Sequence, residues 1–441
     1  MPPSFKGGIH PEYNKEMASG RAIAPMDPPE EVVLPLSQHI GAPAKAVVEK
    51  GDEVLIGQVI AEPGGFVSAP IHATVAGRVK TIEPRPHPLG KSLDAIVIEN
   101  SGEDKWTQTE SWGDSWKEKS TDEIKEKIKN AGMVGMGGAT FPTHVKLSPP
   151  EGKPIDTVIL NGAECEPYLT ADHRLMLEHP EPVVEGLEII SRVLGSKRKI
   201  IAIEENKPDA LEKMRQACSG TEIEVVQLPV KYPQGAEKQL IKALLDRNVP
   251  AGGLPFEVNT LVQNVGTSAA ICAAVREGRP LVNRVVTITG PGISTPSNLR
   301  VTLGTPIQKV IDACGGWKGD PGKLVAGGPM MGFAQISTET PVIKGTSGLL
   351  LFSLDDVHIK EEDKCIRCGT CVRHCPMTLA PSEIAKSAQK KLWNRADEYH
   401  ALDCIECGCC SYGCPAAIPL VQYIRQSKAE IMALRRREGK K

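Results

Sequence analysis

The sequence predicts a multi-domain α/β protein, and three observations carry that prediction. At 441 residues the chain is longer than one hydrophobic core usually organises, so about three or four domains are expected. Its middle alternates apolar runs with amphipathic stretches (DTVILNGAE, EPVVEGLEIISRVLG, KIIAIEE, PDALEKMRQACSG), the βαβ rhythm of an open α/β sheet. Its C-terminal part carries one cysteine pattern twice, C-x-x-C-x-x-C-x-x-x-C-P, and that pattern requires a module of its own.

An N-terminal extension, 1–29, precedes residues 30–100, where short alternating runs (AKAVV, VLIGQVIAE, GRVKTIE, AIVIE) spell a small all-β unit. Within it, VEKGDEVLIGQVIAE and SAPIHATVAGRV resemble the two halves of a biotinyl or lipoyl domain, which implies a barrel-sandwich hybrid. Such domains carry their cofactor on a lysine between the halves. Residues 51–79 contain no lysine, so a structural or docking module is expected rather than a swinging arm. Residues 101–120, with Trp106, Trp112 and Trp116, read as a surface connector.

The α/β domain, 121–280, opens with the helix TDEIKEKIKNAG, for which Thr121 is the expected N-cap and Gly132 the stop. It closes with NTLVQNVGTSAAICAAVREG, read as helical throughout. Residues 281–350 return to short strands around one helix, IQKVIDACGG, as a compact α+β module. In 351–441 the segment EIAKSAQKKLWNRADEYH reads as one helix between the two cysteine runs.

Those runs are Cys365, Cys368, Cys371, Cys375 with Pro376, and Cys404, Cys407, Cys410, Cys414 with Pro415, related by a constant offset. A cubane cluster needs four thiolates. The tight loop supplies three, and in two-cluster ferredoxins the fourth cysteine of each run serves the other cluster. One [4Fe–4S] cluster is therefore assigned to Cys365, Cys368, Cys371 and Cys414, and the other to Cys404, Cys407, Cys410 and Cys375. Structural zinc sites share the C-x-x-C hook but ask for neither the third cysteine nor the proline. Cys409 aligns with Thr370 and is read as a non-ligand, as is His374. The other four cysteines, Cys165, Cys218, Cys272 and Cys314, show no disulfide-like spacing, and ligand thiolates must stay reduced, so a cytoplasmic location is expected.

A net charge of −2 offers no field for nucleic acid, although the terminal run ALRRREGKK is locally basic and reads as a solvated helix end or frayed tail. No apolar leader opens the chain and no stretch approaches the roughly 20 apolar residues of a membrane span, so membrane association is expected only through partners.

The glycine-rich segment 132–146, GMVGMGGATFPTHVK, brings backbone N–H groups and a lysine to one place, as an anionic phosphate requires. With NGAECEP (161–167), YPQGAEKQL (232–240) and NTLVQNVGT (259–267) it resembles, in order, the flavin-bearing NADH-oxidising subunit of respiratory complex I. The resemblance implies that Gly135, Gly137, Gly138, Lys146, Asn161, Glu164, Tyr232, Gly235, Asn264 and Thr267 surround a non-covalent FMN. It also implies that Phe141, Glu166 and Glu237 face NAD(H), the substrate, as hydrogen-bonding groups and not as acid–base catalysts; no catalytic side chain is assigned. Met136 departs from the family's arginine, Thr140 and His144 from glycines, Ala236 and Gln263 from a glutamate and an asparagine, and Leu147 from an aromatic.

The whole order resembles the RnfC family of Rnf electron-transport complexes: barrel-sandwich unit, flavin-nucleotide α/β domain, a small β-grasp-like (SLBB-type) module and a helical two-cluster ferredoxin-type domain. The resemblance implies a peripheral component on the cytoplasmic face of the membrane, joined to membrane subunits and to ferredoxin or an iron–sulfur partner subunit. A cobalamin reductase would place the flavin module first, and a relay module would hold clusters without nucleotide. The two ligand sets predict about eight irons and eight labile sulfides per chain after anaerobic reconstitution. Iron and sulfide analysis checks this, and Cys409→Ser should leave the count unchanged.

Overall fold

The computed structural model describes residues 4–439. The first three residues of the N-terminal extension, and Lys440 and Lys441 of the basic terminal run, lie outside the described residues. The extension is structured. It carries helix α1 (Glu16–Ser19) and strand β1 (Ile23–Pro25), and β1 pairs in parallel with a strand near residue 300.

The barrel unit consists of β2 (Glu31–Pro35), β3 (Lys45–Ala46), β4 (Glu53–Val54), β5 (Val59–Glu62), β6 (Ile71–His72), β7 (Gly77–His87) and β8 (Lys91–Asn100). These form two sheets, β2-β8-β7-β4 and β3-β5-β6, with Val32, Leu34, Ile60, Ile71, Ile96 and Ile98 between them. The connector is anchored: Trp116 is buried and its Nε1 donates to Glu185 at 2.9 Å.

Helix α2 (Thr121–Asn130) follows. Its N-cap is Ser120 rather than the expected Thr121: the Ser120 hydroxyl accepts from Glu123 N and the Glu123 carboxylate accepts from Ser120 N, a closed capping box. After the short α3 (Thr143–Lys146) come β9 (Thr157–Gly162), α4 (Ala171–Glu178), α5 (Pro180–Leu194), β10 (Arg198–Glu204), α6 (Pro208–Ala217), β11 (Ile223–Leu228), α7 (Glu237–Leu245), β12 (Thr260–Asn264) and α8 (Val265–Glu277). The first part of the segment expected to be helical is thus a strand. Its TLVQN run is buried at every position, and periodicity cannot separate a short buried strand from a buried helical turn. The sheet is wholly parallel in the order β11-β10-β9-β12. The chain therefore moves outward from β9 to one side and then crosses to the other.

A β-grasp-like module closes on this domain with β13 (Asn283–Thr289), β14 (Ser297–Thr302), α9 (Ile307–Ala313), β15 (Pro321–Ala326), β16 (Phe333–Ala334) and β17 (Gly348–Ser353), in the order β1-β14-β13-β17-β15-β16. One hydrophobic core runs continuously through barrel, parallel sheet and this module. The last part, α10 (Thr370–His374), α11 (Pro381–Gln389), α12 (Trp393–Glu398), α13 (Cys409–Tyr412) and α14 (Leu420–Arg437), has a core of its own around Ile384, Leu420, Ile424 and Ile431. The expected single helix between the cysteine runs is two, because Lys391 takes a positive φ of 55° and turns the chain. The basic run begins as the end of α14, where Arg435 pairs with Asp397 at 2.8 Å. Among the described residues no helix is long and apolar enough to cross a membrane.

Helices α5 and α8 touch where Gly186 meets Ser268: a Cβ on Gly186 would lie 2.0 Å from Ser268 O. Gly186→Ala should therefore cost about 1–3 kcal/mol by overpacking, read as a lower denaturation midpoint.

Candidate functional site

In a parallel sheet whose strand order reverses, the crevice beyond the carboxyl ends of the two diverging strands is the natural ligand site. Here those strands are β9 and β12, and their ends place Asn161 and Asn264 side by side as register partners. The glycine loop lies over the start of α8. Met136 N donates to Thr267 Oγ1 at 2.9 Å, and a Cβ on Gly137 would stand 3.2 Å from Asn264 Cβ. Gly138 has φ +125°, a conformation that L side chains rarely adopt, and Gly135 N donates to Phe141 O at 2.9 Å. Asn264 caps α8 by accepting from Gly266 N at 2.8 Å and Thr267 N at 3.2 Å, while its Nδ2 donates to Asp172 at 2.6 Å. Burial, then neighbouring Glu164, pushes the Asp172 carboxyl up to about 7.

Lys146, at the end of α3, donates to Glu237 Oε1 at 2.9 Å and to Val262 O at 3.0 Å. Both side chains of this pair stay partly exposed. Asn161 Nδ2 donates to Gly235 O at 2.8 Å, which ties the end of β9 to the loop before α7. The structure thus gathers Gly135, Gly137, Gly138, Phe141, Asn264 and Thr267 around the loop, Lys146 with Glu237, and Asn161 with Gly235.

Glu164, Glu166 and Tyr232 are engaged differently. Glu164 accepts from Asp172 N at 2.7 Å and His173 N at 3.2 Å, capping α4. The Glu166 carboxylate accepts from Tyr232 OH at 3.3 Å and from Met330 N at 3.1 Å, in the turn between β15 and β16. Burial pushes it up to about 7. Tyr232 is fully buried and packs with Ile9, Cys165, Cys407 and Cys409.

The cysteines fall into two sets. Cys375 lines one small cavity with Cys404, Cys407, Cys409 and Cys410, and Cys414 lines another, of about 380 Å³, with Cys365, Cys368 and Cys371. Among the described residues no three His, Cys, Asp or Glu side chains are gathered for a single metal ion. The four repeat cysteines beside each cavity match in number the four irons of a cubane, with Cys409 a fifth thiol at the first. Burial pushes Cys404 up to about 11 and raises Cys375 and Cys410, while a hydrogen bond with Cys409 lowers Cys407; Cys365 and Cys368 are exposed, and Thr370 lowers Cys368. Cys409 Sγ turns to Tyr232 O at 3.9 Å.

Sequence reasoning missed the side chains that hold these loops from beneath. Lys207 donates to Ala163 O at 2.7 Å, Lys344 to Gly132 O at 2.8 Å and Pro70 O at 2.9 Å, and Lys15 to three carbonyls of 164–169. No spacing marks them, because their partners are backbone atoms far away in sequence.

Residues 128–273 match the family described as the Nuo51 FMN-binding domain, and 3–103 the RnfC barrel sandwich hybrid domain. Residues 285–334 match the SLBB domain and 358–415 the 4Fe-4S dicluster domain. The chain is 51% identical over 439 residues to the C component of the proton-translocating ferredoxin:NAD(+) oxidoreductase complex of Clostridium ljungdahlii, covering 99% of this chain and 96% of the relative. It is 48% identical over 435 residues to the Na(+)-translocating counterpart of Acetobacterium woodii, covering 98% of each. To the C component of the ion-translocating oxidoreductase complex of Rhodobacter capsulatus it is 42% identical over 391 residues, covering 86% of this chain and 74% of the relative. The FMN-type loop at the switch point and the two thiol sets are thus accompanied by likeness along the whole chain, which belongs to the RnfC family, the C components of ion-translocating ferredoxin:NAD(+) oxidoreductase (Rnf) complexes.

Proposed function

We propose that this protein is where NAD(H) exchanges electrons with a membrane-bound, ion-translocating ferredoxin:NAD+ oxidoreductase complex, and that it sits peripherally on the cytoplasmic face against membrane subunits and a ferredoxin-type partner. The observation that carries this reading is the junction at Tyr232: the loop that presents Gly235 and Glu237 to the flavin side packs through Tyr232 on Cys407. When bound, FMN supplies the conversion between hydride and single electrons, and the clusters supply one-electron steps.

The chain's own residues bind and orient. Gly135, Gly137 and Gly138 let backbone N–H groups approach the FMN phosphate, beside the start of α8 and Thr267. Lys146, whose ammonium is held by Glu237, would supply positive charge to a bound flavin. Asn161, Glu164, Gly235 and Asn264 shape the floor at the ends of β9 and β12. Phe141 and Glu237 face the nucleotide. Glu166, reached by Tyr232 and Met330, faces the nucleotide from the seam beside the cluster domain. The thiol set nearer Tyr232 (Cys375, Cys404, Cys407, Cys410) holds the inner cluster. The set with exposed Cys365 and Cys368 holds the outer one, open to a partner subunit.

Crossed ligation makes a double-variant pattern diagnostic. Cys365→Ser combined with Cys414→Ser should lose no more than about four irons, whereas Cys404→Ser with Cys414→Ser should lose both clusters. The reverse pattern would sink the assignment. Lys146→Ala should weaken FMN binding by about tenfold or more while iron content holds, because the removed contact is charge-assisted and lies outside the cluster domain. Flavin titration and iron analysis measure both, and stopped-flow mixing of the parent protein with NADH tests the reading itself: an FMN-replete protein whose flavin NADH cannot reduce would refute it.

A further inference from the structure

We propose that Lys15, carried by the N-terminal extension, is a positioning residue for the loop 163–169 that leads from β9 into the flavin and nucleotide site; this deepens the functional reading above and rests on it. The Lys15 ammonium donates to Glu164 O at 2.8 Å, Glu166 O at 2.9 Å and Leu169 O at 2.5 Å, committing all three of its donors to one turn of chain. Lys207 takes a fourth carbonyl, Ala163 O, at 2.7 Å. Tyr168 N adds a bond to Tyr13 O at 2.7 Å.

The loop needs such support. Glu164 and Tyr168 have φ of 45° and 69°, the left-handed region that non-glycine residues avoid. With its carbonyls drawn inward to the two ammonium groups, the loop must hold the Glu164 carboxylate on the start of α4 and the Glu166 carboxylate on Tyr232 and Met330. Lys15 is itself buried, and burial, then Lys207, lowers it to about 8. A charge so placed is tolerated because its acceptors are arranged for it.

Lys15 is held by the rest of its segment. Gly8 N donates to His374 O at 2.9 Å, Ile9 pairs with Tyr232, and a Cβ on Gly7 would stand 2.5 Å from Cys375 O. Further along, Asn298 Nδ2 donates to Ala18 O and Arg21 O. The extension is thus pinned on the Cys375 turn at one end and on the β-grasp-like sheet at the other, with Lys15 between them against the loop.

The test uses the full-length, cluster-loaded protein as parent, Lys15→Met and Lys15→Gln. Lys15→Met should keep its iron, while amide exchange in 163–169 of the flavin-free protein accelerates by about tenfold or more. Either the FMN dissociation constant or the KM for NADH should rise by about tenfold, with kcat changed less than about threefold. Lys15→Gln, which keeps a donor but not the charge, should move the same quantities less. Loop exchange and both affinities within about twofold of the parent would overturn the proposal. So would loss of iron and folded core in both variants, since Lys15 would then have a merely structural role. A parent protein that neither binds FMN nor reacts with NADH would instead remove the functional reading, while faster loop exchange in Lys15→Met would still report on the contact.

Discussion

Buried cations that grip the backbone carbonyls of neighbouring modules are the interaction on which the rest of this structure depends. Lys344 reaches from the β-grasp-like module to Pro70 O of the barrel and Gly132 O at the start of the glycine loop. Arg284 donates to Lys344 O and to Met136 O of the same loop. Lys15 and Lys207 hold the loop after β9. Removing a charge from water costs several kcal/mol unless its donors are matched by acceptors, so Lys15, Arg284 and Lys344, whose acceptors include carbonyls of other modules, are stable only when the modules are correctly docked. Docking and loop geometry are therefore one requirement.

That coupling explains how much was legible beforehand. The dicluster module could be read because its cysteines lie close in sequence and recur at a constant offset. The parallel sheet could be read because apolar periodicity is local. The hydrogen bonds of Glu166 could not: within NGAECEP it is one acidic residue among others, and its partners Tyr232 and Met330 lie 66 and 164 residues away. The extension was opaque for the same reason, since the acceptors of Lys15 are carbonyls about 150 residues away, and backbone oxygens carry no sequence signature. The strand inside NTLVQNVGT was missed because its neighbours bury every side chain and erase the alternation.

The barrel takes its place within the same scheme. Its hairpin tip, where a swinging-arm domain would carry its lysine, turns instead to the flavin side: Phe66 meets the His144 ring edge-on at 6.1 Å, and Phe66 O lies 3.1 Å from His144 Nε2, two residues before Lys146. The barrel tip thus packs on α3, the helix that ends at Lys146.

The cluster domain stands apart in one respect. Its hydrophobic core is separate from the core running through the other three modules, and it is joined to them by the seam of Ile9, Cys165, Tyr232, Cys407 and Cys409, by Gln239 on Pro376 and Met377, by Gly252 on Asp403 and by Arg425 over Phe333. Burying Tyr232 completely, with its hydroxyl on Glu166 and its backbone on Ile9, makes the extension, the loop before α7 and the turn carrying Cys407 and Cys409 members of one contact.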